Sequence, residues 1–294
     1  MIGLGRMGRP IATRIASIRG GVLGYDSRSD AAAPPAGVTP AQSIAEVAAG
    51  ADTVVLSLPD AKAVLQVIDD IIEVRGRVAL VVDCSTIGVE GAVNAHAALA
   101  VHGIGYVDAA VSGGVAGADQ GTLTAMCACA HETFTLVDPL LSLFTANRHH
   151  LGEQPGLGQA AKLANNFLSA TALVATSEAL LFGECLGIPP ERLLEVLNTS
   201  TGRNTATSEK FPRHVVTGTY AAGFSNSMMH KDVELYRQSS VETDSLTAVG
   251  CAVAAIWRAF ADAEPGADVT RIHPYLHALA GIRPAARQDP GDLR

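Results

Sequence analysis

The chain has little that would suit it to a nucleic-acid or lipid partner. Its 294 residues contain 21 Lys and Arg against 29 Asp and Glu, a net charge of −8, and no basic run interrupts that balance. This charge argues against a nucleic-acid surface. No apolar run reaches the length of a membrane span, and the amino terminus lacks the charged and apolar regions of a secretory signal. We therefore expect a cytoplasmic protein that binds neither nucleic acid nor membrane.

Cysteine and aromatic residues are also scarce. No Cys/His cluster has metal-ligand spacing, so we expect reduced, buried thiols and no metal site. Aromatic residues make up 4% of the chain and hydrophobic residues 48%, so small apolar side chains must fill a sizeable core. The five cysteines, an odd number without the spacing of a disulfide framework, are Cys84, Cys127, Cys129, Cys185 and Cys251.

Short apolar runs alternate with Ala-rich helical segments in the first half of the chain. Strands that alternate with helices predict a parallel sheet covered on both faces, the doubly wound α/β class. A helix is expected near 131–143. The predicted strands, rich in β-branched residues, are 22–26, 53–58, 78–83, 104–111, 122–128 and 147–150.

A glycine-rich loop, GLGRMG, lies at residues 3–8 and is followed by the helical stretch PIATRIAS. Eighteen residues after Gly8, Asp26 ends the strand VLGYD. In this pattern the glycines let the backbone approach a pyrophosphate, and the acid bonds a ribose hydroxyl. Asp26 favours NAD, whereas Arg28 could bind the 2′-phosphate of NADP. The predicted dinucleotide site contains Gly3, Leu4, Gly5, Arg6, Met7, Gly8 and Asp26.

Only Met1 and Ile2 precede this loop, although strands average about five to six residues. Three explanations stay open: a start codon placed too late, a trimmed chain, or a sheet that tolerates a short strand. We favour the first. A truncated central strand would be expected to lower both the stability and the affinity for the cofactor.

The second half of the chain carries no convincing strand signal. From Gln159 to Leu186 there is no proline, and the stretch predicts one long apolar helix. Further helices are expected after Pro189–Pro190, at 225–240 and at 245–262. The sequence thus predicts a dinucleotide-binding domain at 1–157. An all-helical domain for substrate binding and dimerisation follows at 158–294.

Several motifs stand at the predicted strand ends and at the start of the long helix. Together they resemble the β-hydroxyacid dehydrogenase family, which includes 3-hydroxyisobutyrate dehydrogenases and tartronate semialdehyde reductases. The resemblance covers essentially the whole chain. It implies a Rossmann domain, a helical domain joined to it by a long helix, and a dimer or tetramer. The motifs are Leu58-Pro59-Asp60, Asp83–Ile87, Asp108–Gly114, Gly156–Asn166, Ser200–Arg203, Gly223-Phe224, Lys231-Asp232 and Gly266–Asp268.

The resemblance also implies roles for individual residues. Lys162 would be the catalytic proton acceptor, because an enclosed amine beside a cationic nicotinamide ring favours its neutral form. Asn166, one turn further on the same face, would hold the substrate. The substrate carboxylate would bind at Ser112, Gly113 and Gly114, where exposed backbone N–H groups form an anion nest. Leu58, Pro59, Thr86 and Lys231 match positions that contact the cofactor.

The expected activity is hydride transfer between NAD, or NADP, and a small β-hydroxyacid of the 3-hydroxyisobutyrate, serine, glycerate or tartronate semialdehyde type. Asn204-Thr205 stand where the 3-hydroxyisobutyrate enzymes tend to have Cys-Trp, which favours a small polar substrate. Ala110 replaces a proline common in the family. Two alternatives remain: an imine reductase of the same architecture, against which Lys162 counts, and a non-catalytic NAD(P)-sensing protein.

Overall fold

The structure, a computed structural model, describes residues 1–19, 21–28 and 33–281. Their contacts divide into two compact units. The first contains Met1–Asn165 with Gln238–Ser245, and the second contains Asn166–Arg237 with the chain from Leu246 onward. The domain boundary expected between residues 157 and 158 stays a prediction. The part of the predicted second domain at 282–294 lies outside the described residues.

The first unit alternates strands with helices, as the sequence predicts. Two elements carry no clear signal in the sequence, because the second strand has three residues and ends at a proline, and the fifth helix is short and rich in glycine. In chain order the elements are α1 (Gly8–Arg19), β1 (Val22–Gly24), β2 (Val38–Pro40), α2 (Ile44–Gly50), β3 (Thr53–Leu56), α3 (Ala61–Val74), β4 (Leu80–Asp83), α4 (Gly88–Ala100), β5 (Gly105–Ser112), α5 (Gly114–Gln120), β6 (Leu123–Ala128), α6 (His131–Leu141) and β7 (Thr145–His150).

Strands β3 to β7 form a five-stranded sheet in that order, parallel except where β5 meets β6. Strands β1 and β2 pair in parallel in a second sheet. Ile2 joins the two sheets through bridges to Tyr25 and Leu56, and its N–H donates to the carbonyl of Val55 at 2.9 Å. Residues 1–3 therefore occupy the place of the first strand. The predicted Rossmann-type architecture is confirmed.

Neighbouring residues of the central strands contribute to two separate cores. Val55, Val82 and Val107 belong to one buried cluster. Val54 and Val81 belong to the other. Because successive side chains point to opposite faces of a sheet, helices must cover both faces. This burial on both faces explains why the strands read as continuous apolar runs in the sequence.

The second unit consists of helices throughout its described part, as predicted. Trp257, Phe211 and Phe260 are completely buried in its core. Its helices are the part of α7 (Leu157–Cys185) that follows Asn165, α8 (Pro190–Asn198), a π-helix (Ala206–Val215), α9 (Asn226–Glu242, with its last residues in the first unit), α10 (Ala248–Ala263), a 3-10 helix (Val269–Arg271) and α11 (Ile272–Leu279).

Helix α7 is long and apolar enough, by length and composition alone, to cross a membrane. Half of its most apolar 18-residue window is buried inside the protein, as in the core helix of a globular domain. The cysteines are free thiols. Cys84, Cys127 and Cys129 are buried as expected, whereas Cys185 and Cys251 are exposed.

Candidate active site

The glycine loop packs closely on the chain around it. A Cβ atom on Gly3, where φ is +88°, would overlap the carbonyl oxygen of Ser57. A Cβ atom on Gly8, the first residue of α1, would overlap the carbonyl oxygen of Gly3. These two positions tolerate only glycine, because any larger residue would displace the backbone. The loop thereby brings the amino terminus of α1 to the carboxyl edge of the sheet.

Asp26 binds both the loop and its neighbour Arg28. Its carboxylate accepts the N–H of Leu4 at 2.8 Å and the Nε and Nη2 of Arg28 at 2.9 and 3.1 Å. The Arg28 hydrogen bond, together with the backbone bonds, lowers the pKa of Asp26 against the effect of burial. The acid expected to bond a ribose hydroxyl and the cation expected to bind a 2′-phosphate are therefore hydrogen-bonded to each other.

The backbone of the loop is open at Gly5. Among the described residues, a Cβ atom on Gly5 would approach only the Arg28 guanidinium, at 3.5 Å. The side chain of Arg28 is 60% exposed, so it can move to admit a ligand. A loop that is backed by Ser57 and open over Gly5 is the arrangement that a pyrophosphate needs. The residues present thus fit NAD or NADP.

Hydrogen bonds connect the ends of β3 and β4, where the other predicted cofactor residues lie. The N–H of Leu58, next to Pro59, donates to Ser85 Oγ at 2.9 Å. The N–H of Ser85, next to Thr86, donates to the buried carboxylate of Asp83 at 2.9 Å. The structure therefore brings the predicted Leu58-Pro59 and Thr86 segments together at one edge of the sheet.

The predicted carboxylate-binding turn follows directly on β5. Gly113 and Gly114 have φ values of 128° and 66°, which side-chain-bearing residues rarely adopt. A Cβ atom on Gly114 would meet no described atom within 4 Å, so the turn is open at that point. Asn165 Nδ2 donates to Ser112 Oγ at 3.4 Å, a long hydrogen bond that brings the turn near α7.

The beginning of α7 is bound to β5 by a buried network that the sequence analysis did not single out. Asp108 Oδ2 accepts the N–H groups of Gly156 and Gln159 at 3.1 and 3.0 Å, and its Oδ1 accepts Gln159 Nε2 at 2.9 Å. Burial raises the pKa of Asp108 to about 6, against the lowering effect of these hydrogen bonds. The only signal of this network in the sequence was one polar residue in each of two largely apolar segments, Asp108 in β5 and Gln159 in α7.

Lys162 and Asn166 lie on one face of α7, one turn apart, and are only 9% and 7% exposed. Within the second unit, Asn166 Nδ2 donates to Asp232 Oδ2 at 2.6 Å. Lys231 Nζ lies 3.2 Å from the other oxygen of Asp232. Three of the residues singled out in the sequence are thus in contact there: Asn166, Lys231 and Asp232.

Asn204, one of the two residues expected to form a polar pocket wall, is hydrogen-bonded to the chain around it. Its Oδ1 accepts the N–H groups of Ala206 and Thr207 at 2.8 and 3.1 Å, and its Nδ2 donates to the carbonyl of Gly202 at 3.2 Å. The two N–H groups belong to the first residues of the π-helix, so Asn204 holds the chain at the start of that helix. The expected preference for a small polar substrate stays a prediction.

Two family models together match nearly the whole chain. Residues 1–152 match the NAD binding domain of 6-phosphogluconate dehydrogenase. Residues 156–276 match the model described as NAD-binding of NADP-dependent 3-hydroxyisobutyrate dehydrogenase.

Curated relatives match over most of their length. The chain is 32% identical to 2-(hydroxymethyl)glutarate dehydrogenase of Eubacterium barkeri, over 82% of this chain and 81% of the relative. It is 33% identical to NAD-dependent L-serine dehydrogenase of Pseudomonas aeruginosa, over 87% of this chain and 90% of the relative.

Solved structures share the fold. The chain superimposes on Mycobacterium tuberculosis 3-hydroxyisobutyrate dehydrogenase with L-serine at a TM-score of 0.87, with 32% identity over 94% of this chain and 97% of the other. A second structure, Psf3 in complex with NADP⁺ and 2-OPP, gives a TM-score of 0.81 with 26% identity, over 94% and 98% of the two chains.

Proposed function

This chain belongs to the β-hydroxyacid dehydrogenase family, and from that premise we propose that Lys162 is its proton acceptor and donor. The protein is an NAD(P)-dependent oxidoreductase of β-hydroxyacids, as the sequence resemblance implied. Bound NAD(P) supplies the hydride acceptor or donor for this reaction. The remaining task, removal of the hydroxyl proton as the carbonyl forms, belongs to the protein.

The observation that carries the proposal is the position of Lys162. Its amine is on a side chain that is 9% exposed, in the first third of α7 and on the same face as Asn166. Burial of a charged group costs free energy, so a lysine that served only at a solvated helix end would be expected to be exposed. In this role the Lys162 Nζ accepts the hydroxyl proton during oxidation and returns it during reduction.

The other site residues divide into three groups. Ser112, Gly113 and Gly114 bind the substrate carboxylate through the serine hydroxyl and the N–H groups of the open turn. Asn166 holds the reacting hydroxyl in register, with its amide oriented by Asp232. The cofactor-binding residues that the dinucleotide pattern predicted are Gly3, Leu4, Gly5, Arg6, Met7, Gly8 and Asp26. Those that the resemblance implied are Leu58, Pro59, Thr86 and Lys231.

The proposal is tested by turnover of 3-hydroxyisobutyrate, L-serine, glycerate and 2-(hydroxymethyl)glutarate, each with NAD and with NADP. We expect one of these small acids to be oxidised, with NAD preferred because of Asp26. In Lys162→Ala, kcat should fall by roughly 10²- to 10⁴-fold, the usual contribution of a positioned acid or base. NADH titrated by fluorescence should bind the variant as tightly as the wild type.

A matched control is Lys62→Ala, because Lys62 is an exposed lysine on α3. It should leave kcat, KM and NADH affinity unchanged. Full turnover by Lys162→Ala would refute the assignment of this residue. Tight NADH binding without turnover of any acid by the wild type would favour the sensing protein instead.

We also propose a cytoplasmic homo-oligomer, a dimer or tetramer, assembled through the second unit. Support comes from large apolar side chains that α7 and the residue after it leave exposed, Leu168, Phe182 and Leu186, each about two thirds exposed. Exposed apolar groups of this size are typical of protein interfaces. Sedimentation equilibrium should give a multiple of 30.3 kDa for the wild type and a smaller assembly for Phe182→Glu. A monomeric wild type would contradict this.

A further inference from the structure

Gln159 lies in the first turn of α7, three residues before Lys162, and is completely buried. Its amide uses all four of its hydrogen-bonding positions. Nε2 donates to the carbonyl of Ser85 at 3.1 Å and to Asp108 Oδ1 at 2.9 Å. Oε1 accepts the N–H groups of Ile87 and Gly88 at 2.9 and 3.2 Å. One side chain therefore binds the backbone on both sides of Thr86.

Asp108 binds the same turn of α7 from the sheet. It accepts two backbone N–H groups of the helix start as well as the amide of Gln159. The packing here is tight, because a Cβ atom on Gly158 would lie 2.7 Å from Asp108 Oδ1 and 2.5 Å from the carbonyl of Met126. We call Asp108 and Gln159, with these bonds, the Asp108–Gln159 joint.

The Asp108–Gln159 joint begins a helix at a higher cost in desolvation free energy than a cap at the surface. Helices α2 and α3 begin with Ser43 and Asp60, whose side chains accept the N–H groups of Glu46 and Ala63 at the surface. The carboxylate of Asp108 is instead withdrawn from water, which disfavours its charged form. Capping alone does not require this burial. A requirement for fixed geometry explains this burial, because a buried network in which every polar group is hydrogen-bonded is rigid.

We propose that Gln159 is a positioning residue for catalysis, which with Asp108 fixes Lys162 relative to the cofactor-binding segment at Thr86. This inference rests on the proposed role of Lys162. Proton removal and hydride transfer must act on the same carbon–oxygen pair, so the amine and the nicotinamide need a defined separation. A misplacement of about 1 Å can lower the rate by roughly 10²-fold. The joint sets that separation through one turn of helix.

The first test replaces Gln159 by leucine, which keeps the approximate volume and removes all four hydrogen bonds. We expect kcat to fall roughly 10- to 100-fold with a smaller change in NADH affinity. Gln66→Leu is the matched control, because Gln66 is an exposed glutamine on α3 that bonds Asp70 at 3.0 Å. It should retain full kcat. Circular dichroism and thermal unfolding of each variant check that the fold persists.

A second test separates positioning from general stability. If Gln159 acts through Lys162, then Gln159→Leu should lower kcat in the wild type but not further in Lys162→Ala, where the amine is already absent. Equal fold-losses in both backgrounds would show a merely structural role and overturn the inference. Loss of rate in Lys162→Ala with full rate in Gln159→Leu would overturn it too and leave the proposed function intact. Full rate in Lys162→Ala would refute the proposed function itself.

A third test exchanges donor and acceptor within the joint. Asp108→Asn alone places an amide N–H against Gln159 Nε2, and Gln159→Glu alone places two carboxylates together. In the double variant, the new amide at position 108 can donate to the new carboxylate at position 159. That carboxylate can still accept from Ile87 and Gly88, so only the bond to Ser85 is compromised. We expect each single variant to lose at least about 10-fold in kcat and the double variant to regain several-fold. If the loss in kcat of the double variant equalled the product of the two single losses, the proposed pairing of Asp108 with Gln159 would be wrong.

Discussion

Helix α7 contributes two amide side chains, seven residues apart, and each of them binds a buried carboxylate of another element. Gln159 binds the buried carboxylate of Asp108 in the first unit, and Asn166 binds the buried carboxylate of Asp232 in the second. The first carboxylate accepts backbone N–H groups, whereas the second lies 3.2 Å from the amine of Lys231. Both pairs flank Lys162 along the helix.

The two carboxylate–amide pairs differ in the other groups that they bind. The Asp108–Gln159 joint binds the backbone of neighbouring segments, so it fixes where the helix starts. The Asn166–Asp232 pair instead contacts a charged side chain, the amine of Lys231. The comparison indicates that one carboxylate–amide pair fixes backbone at the start of the helix, whereas the other joins three side chains, two of which we propose to act on the substrate and cofactor.

The largest expected effect concerns the charge of Asp108. Its pKa is about 6 in the folded protein against an ordinary value of 3.8, so the folded state binds the proton more tightly. The free energy of unfolding should therefore decrease as the pH rises from about 4 to 6, by roughly 3 kcal/mol from this group, and then level off. Urea unfolding should show that Asp108→Asn lacks this loss. If the free energy of unfolding had the same pH dependence in the wild type and in Asp108→Asn, the distinction between the two pairs would fail.

The next effect concerns the second pair. Asn166→Leu removes the amide and leaves the carboxylate of Asp232 buried without that partner, so kcat/KM should fall by about 10²-fold, or about 2.7 kcal/mol. The measurement is steady-state turnover, with NADH affinity as the internal control. A variant that unfolds is recognised by its circular dichroism, and Asn166→Ser then serves in its place. Unchanged kcat/KM would remove Asn166 from the site.

A smaller effect is expected for the charge in the second pair. Asp232→Asn keeps an oxygen for Asn166 but loses the attraction to Lys231, whose side chain is one quarter exposed. We expect about a 10-fold loss in kcat/KM, roughly 1.4 kcal/mol, which diminishes at high salt because the amine is partly solvated. Glu178→Gln, at an exposed carboxylate on α7, is the control that should change nothing. Equal losses in the two variants would mean that the effect is not specific to Asp232.

The sequence alone determined the architecture and the reaction class of this protein. The alternation of apolar runs with helical segments predicted the doubly wound sheet, which the structure has with one antiparallel pair, β5 and β6. The spacing of Gly3, Gly5, Gly8 and Asp26 predicted a dinucleotide cofactor, which the comparisons confirm as NAD(P). These features are readable because they arise from local rules. Side chains alternate along a strand, and glycine alone permits a positive φ or a close backbone approach.

Which polar groups meet depends on how distant segments of the chain pack together. Asp108 and Gln159 are 51 positions apart, and Asn166 and Asp232 are 66 apart. Nothing in either neighbourhood marks its partner, so the sequence did not predict these two contacts, nor the hydrogen bonds of Asn204 to the start of the π-helix. A buried amide or carboxylate needs a hydrogen-bond partner, but that partner is supplied by whichever segment packs against it. That choice belongs to the fold as a whole.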